Sequence, residues 1–492
     1  MSKGRLFIFG IGGTGSRVIK ALTLLLASGV QAETEEIIPI IIDPHLSNED
    51  LRRTVELLSQ YQTIYNKLNT GVKRKGFFNT PIRRLKDLVP DAHLANDFAF
   101  NLQNVQNEQF REYINLKGMD ETNKALMELL FSTKNLDTEM DIGFVGNPNI
   151  GSIVLNQFKD SDEFKLFASK FAQGDRIFII SSIFGGTGAA GFPLILKNIR
   201  ESKITGVDND FLKRAPIGAV TVLPYFGVQV GEGLIEKSTF MSKTKAALTY
   251  YENNVTGNNS INALYYIGDE MKNDYKNDDG HDGQKNDAHF IELASALSII
   301  DFLKTPLASL ANDDKGKAVK PIYREFGINE DERTMIFKDL GKDTQDIIKK
   351  PLTQYLYFCR YLRDELQDAI NAKQTFTSLK EPKIDNSFTT SYFNTSVLAP
   401  FNKGFEDWLN EMARNERGFA PFNLSTPILS ELLNGMKTKR NFIGREKRIE
   451  YADFNHELNA FSGKNYPSVE TKLIEAFSGA TDVLLPNFYE SF

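Results

Sequence analysis

The chain predicts an α/β protein: a mostly parallel, Rossmann-like sheet with helices on both faces, a large helical insertion and a separate α+β C-terminal region. Three observations lead there. Short runs that are apolar throughout, each the length of one strand, alternate with helical patterns, as buried parallel strands do. Several of these runs empty through glycines into a helix start. In a parallel sheet, such loops all face the edge formed by the carboxyl ends of the strands.

The elements follow in order. Residues 5–9 (Arg-Leu-Phe-Ile-Phe) form the first strand, which runs into Gly10-Ile11-Gly12-Gly13-Thr14-Gly15-Ser16 and a helix over 17–26. Gly10, Gly12 and Gly15 satisfy G-x-G-x-x-G in a strand–turn–helix setting. Residues 36–42 form a second strand ending at Asp43, an acid suited to a ribose hydroxyl, to a water of bound Mg²⁺, or to capping the turn before Pro44. Residues 47–138 are long, polar and helical, and the basic cluster at 73–75 and 83–84 reads as a solvated face or partner patch. A second glycine-bearing loop, Gly146-Asn147-Pro148-Asn149-Ile150-Gly151, then enters a helix; an Asn-Pro pair also serves as a plain helix cap.

Residues 176–183 form the central strand and lead into Gly185-Gly186-Thr187-Gly188-Ala189-Ala190-Gly191, followed by a helix through 192–199. Without side chains, such a loop lets backbone N–H groups reach an oxygen, and the helix dipole adds positive charge. Further strands fall at 217–224 and 263–267, with a glycine-rich turn at 227–233 and a helix over 238–253 between them. The Asp/Asn/Gly-rich stretch 269–289 fails the EF-hand spacing and reads as a solvated loop. An apolar helix follows over 290–303, its start carrying Asn286, Asp287, His289 and Glu292. Beyond Pro306, residues 322–326 and 334–337 are expected to pair as a hairpin, 345–372 to form one amphipathic helix holding Cys359, and 482–486 to dock as a tail.

Composition removes several function classes. The net charge of -6 argues against a nucleic-acid-binding protein. A single cysteine leaves no internal disulfide or cysteine metal cluster, and the five histidines lack zinc-ligand spacing. No apolar run reaches bilayer length, and the N-terminus passes directly into a strand, so a cytoplasmic protein without a membrane span is expected.

Taken together, these motifs resemble the tubulin/FtsZ superfamily of GTPases. Gly185-Gly186-Thr187-Gly188 is similar to its signature loop, residues 10–16 to the first phosphate loop of FtsZ, and residues 146–151 to the loop that senses the γ-phosphate. Pro224-Tyr225 and an apolar helix reaching Thr305-Pro306 fall where that family has its fifth loop and its core helix. The resemblance covers residues 5–310 and identifies the chain as a divergent bacterial tubulin-like protein. It implies a nucleotide-binding domain over 1–306, with the insertion at 47–138 and the core helix at 286–304, and a C-terminal α+β domain and tail over 307–492.

The site follows from the same resemblance. Gly12, Gly13, Thr14, Gly15 and Ser16 would hold the α- and β-phosphates, and Gly185, Gly186, Thr187, Gly188 and Ala189 the β- and γ-phosphates. Gly146 and Asn147 would approach the γ-phosphate, and Asn286 or His289 would meet the base. No metal site made by side chains is implied; Mg²⁺ would come with GTP or GDP and Asp43. The departures lie after the signature loop, where Ala189-Ala190 delays the next glycine, and in the acidic loop after the core helix, where only Asp314 remains as the acid acting on a neighbouring copy. The leading expectation is a GTP-binding protein, a slow GTPase that self-associates head to tail into filaments. A non-polymerising regulatory module of a multi-protein stress or phage-defence system, and a Rossmann NAD or adenylating enzyme, stay open.

Overall fold

The computed structural model describes residues 3–45, 48–68, 75–89, 98–100, 102–140, 144, 147–201, 207–225, 227–228, 237–269, 274–275, 286–326, 334–415, 417–441, 443–490 and 492. Residues 73–74 of the basic cluster, 229–233 of the glycine-rich turn and 276–285 of the Asp/Asn/Gly-rich stretch lie outside the described residues. Seven strands form one sheet: β1 (Leu6–Ile11), β2 (Ile37–Ile42), β3 (Ala99–Phe100), β4 (Arg176–Ser182), β5 (Ile217–Val222), β6 (Ala263–Ile267) and β7 (Ile322–Phe326). Their order is β3-β2-β1-β4-β5-β6-β7 and every pairing is parallel. This is the α/β sheet that the apolar runs predict. β1 sits beside both β2 and β4, with Gly10 opposite Ile41 on one side and Ile180 on the other. The loops after β1 and β4 are thereby neighbours by register alone.

The helices used below are α1 (Gly12–Ala27), α2 (Glu49–Leu68), α3 (Pro148–Leu155), α4 (Gly186–Glu201), α5 (Phe290–Lys304), α6 (Lys342–Asp364), α7 (Ala399–Arg414) and α8 (Val469–Phe488). They divide by the two-residue period of the strands. Leu6 and Ile8 of β1 face a core shared with α1, α2, α5 and the C-terminal helices, whereas Phe7, Phe9 and Ile11 face a second core built with α3 and α4. Phe77 and Phe78, just after α2, pack on Tyr355 of α6 at ring distances of 5.1 and 5.7 Å, so the C-terminal half shares one core with the sheet. α5 is buried along nearly its whole length. At its end Arg176 donates to the carbonyls of Phe302 and Thr305, filling acceptors that a helix C-terminus leaves open. No helix among the described residues is long and apolar enough to cross a membrane.

Three expectations for local structure are corrected. Residues 322–326 and 334–337 make no hairpin: Ile322–Phe326 adds to the open edge of β6, and Thr334–Met335 pairs in parallel with Gly418–Phe419. An edge strand exposed at Tyr323, Arg324, Glu325 and Phe326 carries no sequence mark of its partner. The helix expected over 345–372 ends at Asp364 and a second begins at Leu366. Residues 482–486 lie inside α8, with Pro486 in its last turn, and form no separate tail. The insertion also supplies β3, too short to register as a strand in sequence.

Gly15 holds the first strand–helix junction closed. A Cβ there would stand 2.3 Å from the Gly10 carbonyl carbon and 2.7 Å from its Cα. Gly15→Ala is therefore expected to cost about 3 kcal/mol, as overpacking of a closed contact does. Gly13→Ala, whose Cβ meets nothing nearer than Arg17 Nη1 at 4.0 Å, should leave stability within about 1 kcal/mol of the parent. Denaturant unfolding of both variants checks this; equal midpoints would contradict the packing.

Candidate functional site

Two helix starts meet at the carboxyl edge of the sheet. α1 begins at Gly12, whose φ of 69° lies in the left-handed region that favours glycine. Its N-cap, Ile11, supplies no side-chain acceptor, so the amides of Gly12, Gly13 and Thr14 are not capped. α4 begins at Gly186, separated by three residues from the end of β4 at Ser182. A Cβ on Gly12 would lie 3.5 Å from Thr187 Cβ and 4.0 Å from the Gly188 amide nitrogen, so the two glycine turns are in contact. Thr187 is half-buried, and its hydroxyl makes no hydrogen bond among the described residues. Ala189 donates its amide to the Gly185 carbonyl, the first bond of the helix, and Ser16 Oγ stands 3.5 Å from the Gly12 carbonyl.

The third loop arrives at the same place with different chemistry. A Cβ on Gly151 would meet the Gly186 carbonyl oxygen at 2.8 Å and Ala190 Cβ at 3.0 Å, so α3 starts against α4. Asn147 caps α3 itself, its side-chain oxygen accepting from the Asn149 and Ile150 amides at 3.1 and 3.4 Å. Pro148 has no amide to offer. The start of α3 thus spends its donors internally, while α1 has no side-chain cap and the Gly186–Gly188 amides have no partner among the described residues. Gly146 lies outside the described residues.

Beneath the first turn of α1 is a buried ionic network that the sequence reading did not pick out. Arg17 donates from Nε to Glu292 at 2.7 Å and from Nη2 to the Tyr225 hydroxyl at 2.9 Å, and lies 3.4 Å from Asp50. Lys20 is 3.4 Å from Glu411 of α7, which also accepts from Arg53 at 2.5 Å. Arg17 with Lys20, and Asp50 with Arg53, are three residues apart on their helices and so share a face. Burial opposes the charge on Arg17, but Tyr225, Glu292 and Asp50 outweigh it and keep the guanidinium protonated. The available signal was a charged residue within an otherwise apolar helix, as with Glu292 in α5.

The remaining predicted residues surround this network. Asn286 donates from its side chain to Asp50 at 2.9 Å. His289 caps α5, Nδ1 accepting from the Ile291 amide at 3.1 Å, and its ring packs 4.7 Å from Tyr225. Asp43, at the end of β2, is buried, and Oδ1 accepts from the His45 amide at 3.1 Å. Asp314 is not brought to this edge. It is fully exposed near Arg214, just before β5, beside a turn in which Asn312 donates to the Arg214 and Ala215 carbonyls. The 15 residues of α5 put about 22 Å between the two ends of the sheet layer. No group of three or more His, Cys, Asp or Glu able to hold a metal ion is present among the described residues.

Two buried groups give stability opposite pH dependences. Burial raises Asp43 to about 7, with Asp50 adding to the rise and the His45 amide and Arg17 opposing it. The folded chain then holds a proton that the unfolded chain has released, so stability falls as pH rises from about 4 to 7. Asp43→Asn should remove this loss, gaining up to about 4 kcal/mol relative to the parent at pH 8 and little at pH 4. Burial lowers His289 to about 4, helped by Arg17 and Arg417. Its neutral ring contributes stability that is lost as pH falls from 6.5 through 4; His289→Asn, which keeps a capping oxygen, should flatten that acid limb by about 3 kcal/mol. Denaturation midpoints across pH 4–8 check both, and parallel profiles for parent and variants would contradict them.

No family model and no curated protein matches the chain. Among solved structures it is similar to a point mutant of FtsZ from M. jannaschii, at 15% identity over 54% of this chain and 47% of that one, with a TM-score of 0.26. It is also similar to CetZ from Methanosaeta thermophila, at 13% identity over 55% and 46%, with a TM-score of 0.24. The chain spans about half the length of each. The fold assignment rests on this chain's own strand order.

Proposed function

We propose that the chain is a tubulin/FtsZ-like guanine-nucleotide-binding protein, a slow GTPase that associates head to tail with copies of itself. The observation that carries this reading is the contact between the first turns of α1 and α4 at Gly12 and Thr187. Two uncapped helix starts aimed at one place offer amide donors and two partial positive charges to a single polyanion. A triphosphate has the oxygens and the charge to use both; a single pyrophosphate needs one such turn. In this reading Gly12–Ser16 hold the inner phosphates and Gly185–Ala189 the outer ones. Asn147 braces α3 behind the γ position and takes no phosphate through its capping oxygen. The base lies toward Asn286 and His289, where the neutral imidazole keeps an uncharged wall beside Tyr225. Mg²⁺ would come with the nucleotide and offset its phosphate charge, and Asp43, buried and raised to about 7, would be the residue near it once ionised.

Asp314 decides how turnover occurs. On the opposite edge of the sheet, it cannot reach the loops of its own chain, so as a water-orienting carboxylate it serves only the nucleotide of the next copy. That arrangement is heterologous and open-ended, the geometry of a filament. With Asp314 as the one acid that matches the family's acidic loop, and Asp313 beside it occupied by the Lys315 and Lys317 amides, slow hydrolysis follows.

Titration calorimetry should give micromolar GTP binding with Mg²⁺ and at least tenfold weaker ATP binding, a gap of about 1.4 kcal/mol. Gly13→Ala, which the fold tolerates, should weaken GTP binding tenfold or more. Asp314→Ala should bind normally and lose turnover, and a mixture of Gly13→Ala and Asp314→Ala chains should recover part of it. Preferred ATP or NAD binding, or unchanged binding by Gly13→Ala, would overturn the proposal; full turnover by Asp314→Ala would remove that residue from it.

A further inference from the structure

Besides the shared apolar core, one carboxylate ties the C-terminal half ionically to the glycine-loop helix. Glu411 of α7 is 2% exposed and receives three donors from three elements: Lys20 of α1 at 3.4 Å, Arg53 of α2 at 2.5 Å, and the Ala288 amide, just before the α5 cap, at 3.2 Å. Asn415, one turn further on, donates to the Ala288 carbonyl at 2.5 Å. α1 is tied to α5 a second time, by Arg17 and Glu292. α1, α5 and α7 therefore close a triangle, with the glycine turn at one end of α1 and the base-facing residues at the start of α5. Charge makes the triangle tight. Arg17, Lys20 and Arg53 are balanced by Asp50, Glu292 and Glu411, and the ion pair of Lys20 among the described residues is with Glu411. Arg53 Nη1 is buried with Asp50 Oδ1 3.8 Å away and no hydrogen-bond acceptor, so little slack remains to absorb a lost carboxylate. Neutralising Glu411 leaves two buried cations and the half-buried Arg53 against two acids.

We propose that Glu411 is a positioning residue for the glycine-loop site, through which the bound nucleotide and the C-terminal half regulate each other. It acts through Lys20 and Ala288, setting where α1 and the start of α5 stand. An anion on the α1 amides tightens the α7 contact, and by thermodynamic reciprocity a loosened α7 weakens the anion. The inference rests on the nucleotide reading for its ligand but not for the tie itself.

Hydrogen exchange on the full chain, with and without GTP and Mg²⁺, tests it. In the parent protein GTP slows exchange in residues 399–414 as well as at the glycine turns. Glu411→Gln binds GTP about tenfold more weakly, the usual size of such coupling, and at saturation shows no protection of 399–414. Glu411→Asp restores both, which a purely structural loss would not. Glu406→Gln, on the same helix but paired with Arg360 and Arg363, behaves as the parent. Where Glu411→Gln fails to fold, Lys20→Met, which leaves Glu411 its Arg53 partner, gives the same comparison. Ligand-dependent protection of 399–414 that survives Glu411→Gln or Lys20→Met overturns the inference. If neither GTP nor ATP binds, the nucleotide reading fails by itself. The tie is then read in the free protein, where Glu411→Gln, and not Glu406→Gln, should speed exchange across residues 12–20; unchanged rates there overturn it.

Discussion

Two positive helix ends share one small volume at the carboxyl edge of this sheet, and much of the molecule follows from that constraint. Each helix start carries about half a positive charge on uncapped amides, so bringing α1 and α4 into contact is unfavourable until something negative lies between them. The sheet enforces the approach regardless. β1 and β4 are adjacent and in register, β1 passes directly into its helix and β4 after three residues, and Gly12 and Gly188 leave no side chain to hold the turns apart. α3, packed as closely, avoids the conflict because Asn147 neutralises its own helix start. One of three similar-looking loops is thus satisfied from within, and the remaining two are what a polyanion would use.

The second constraint is the ionic layer below. Burying Arg17, Lys20 and three carboxylates, with Arg53 half-buried beside them, between α1, α2, α5 and α7 costs desolvation that pairing only offsets, so such a layer is poor evidence of stability. It does fix geometry. Arg17 and Glu292 hold the glycine-loop helix against α5, and Glu411 brings in the C-terminal half from 391 residues further along the chain. The site is therefore assembled by the whole chain, although its loops lie within the first 190 residues.

The sequence was legible where local chemistry decides the outcome. β1, β2, β4, β5 and β6 are continuous apolar runs because both faces are covered, and the two open glycine turns are visible as strand–glycine–helix junctions. The capping of α3 by Asn147 is an Asn-Pro signal that could be read either way. What escaped depends on distant partners. β3 is two residues long, β7 is polar because it lies at an edge, and Thr334–Met335 finds its partner at Gly418–Phe419. Arg17 and Lys20 are charges within an otherwise apolar helix, but only the folded chain brings Asp50, Glu292 and Glu411 to them. Asp314 stands out only by resemblance, and the folded chain puts it beside Arg214, away from the glycine turns.

Glycine-selective ¹⁵N spectroscopy during addition of GTP with Mg²⁺ tests most directly whether the α1 and α4 turns form one phosphate site. The account predicts that the amide signals of Gly12, Gly13, Gly186 and Gly188 move together along one isotherm with one dissociation constant, while distant Gly463 stays still. Signals from one turn moving alone, the two turns following different isotherms, or neither responding would contradict it.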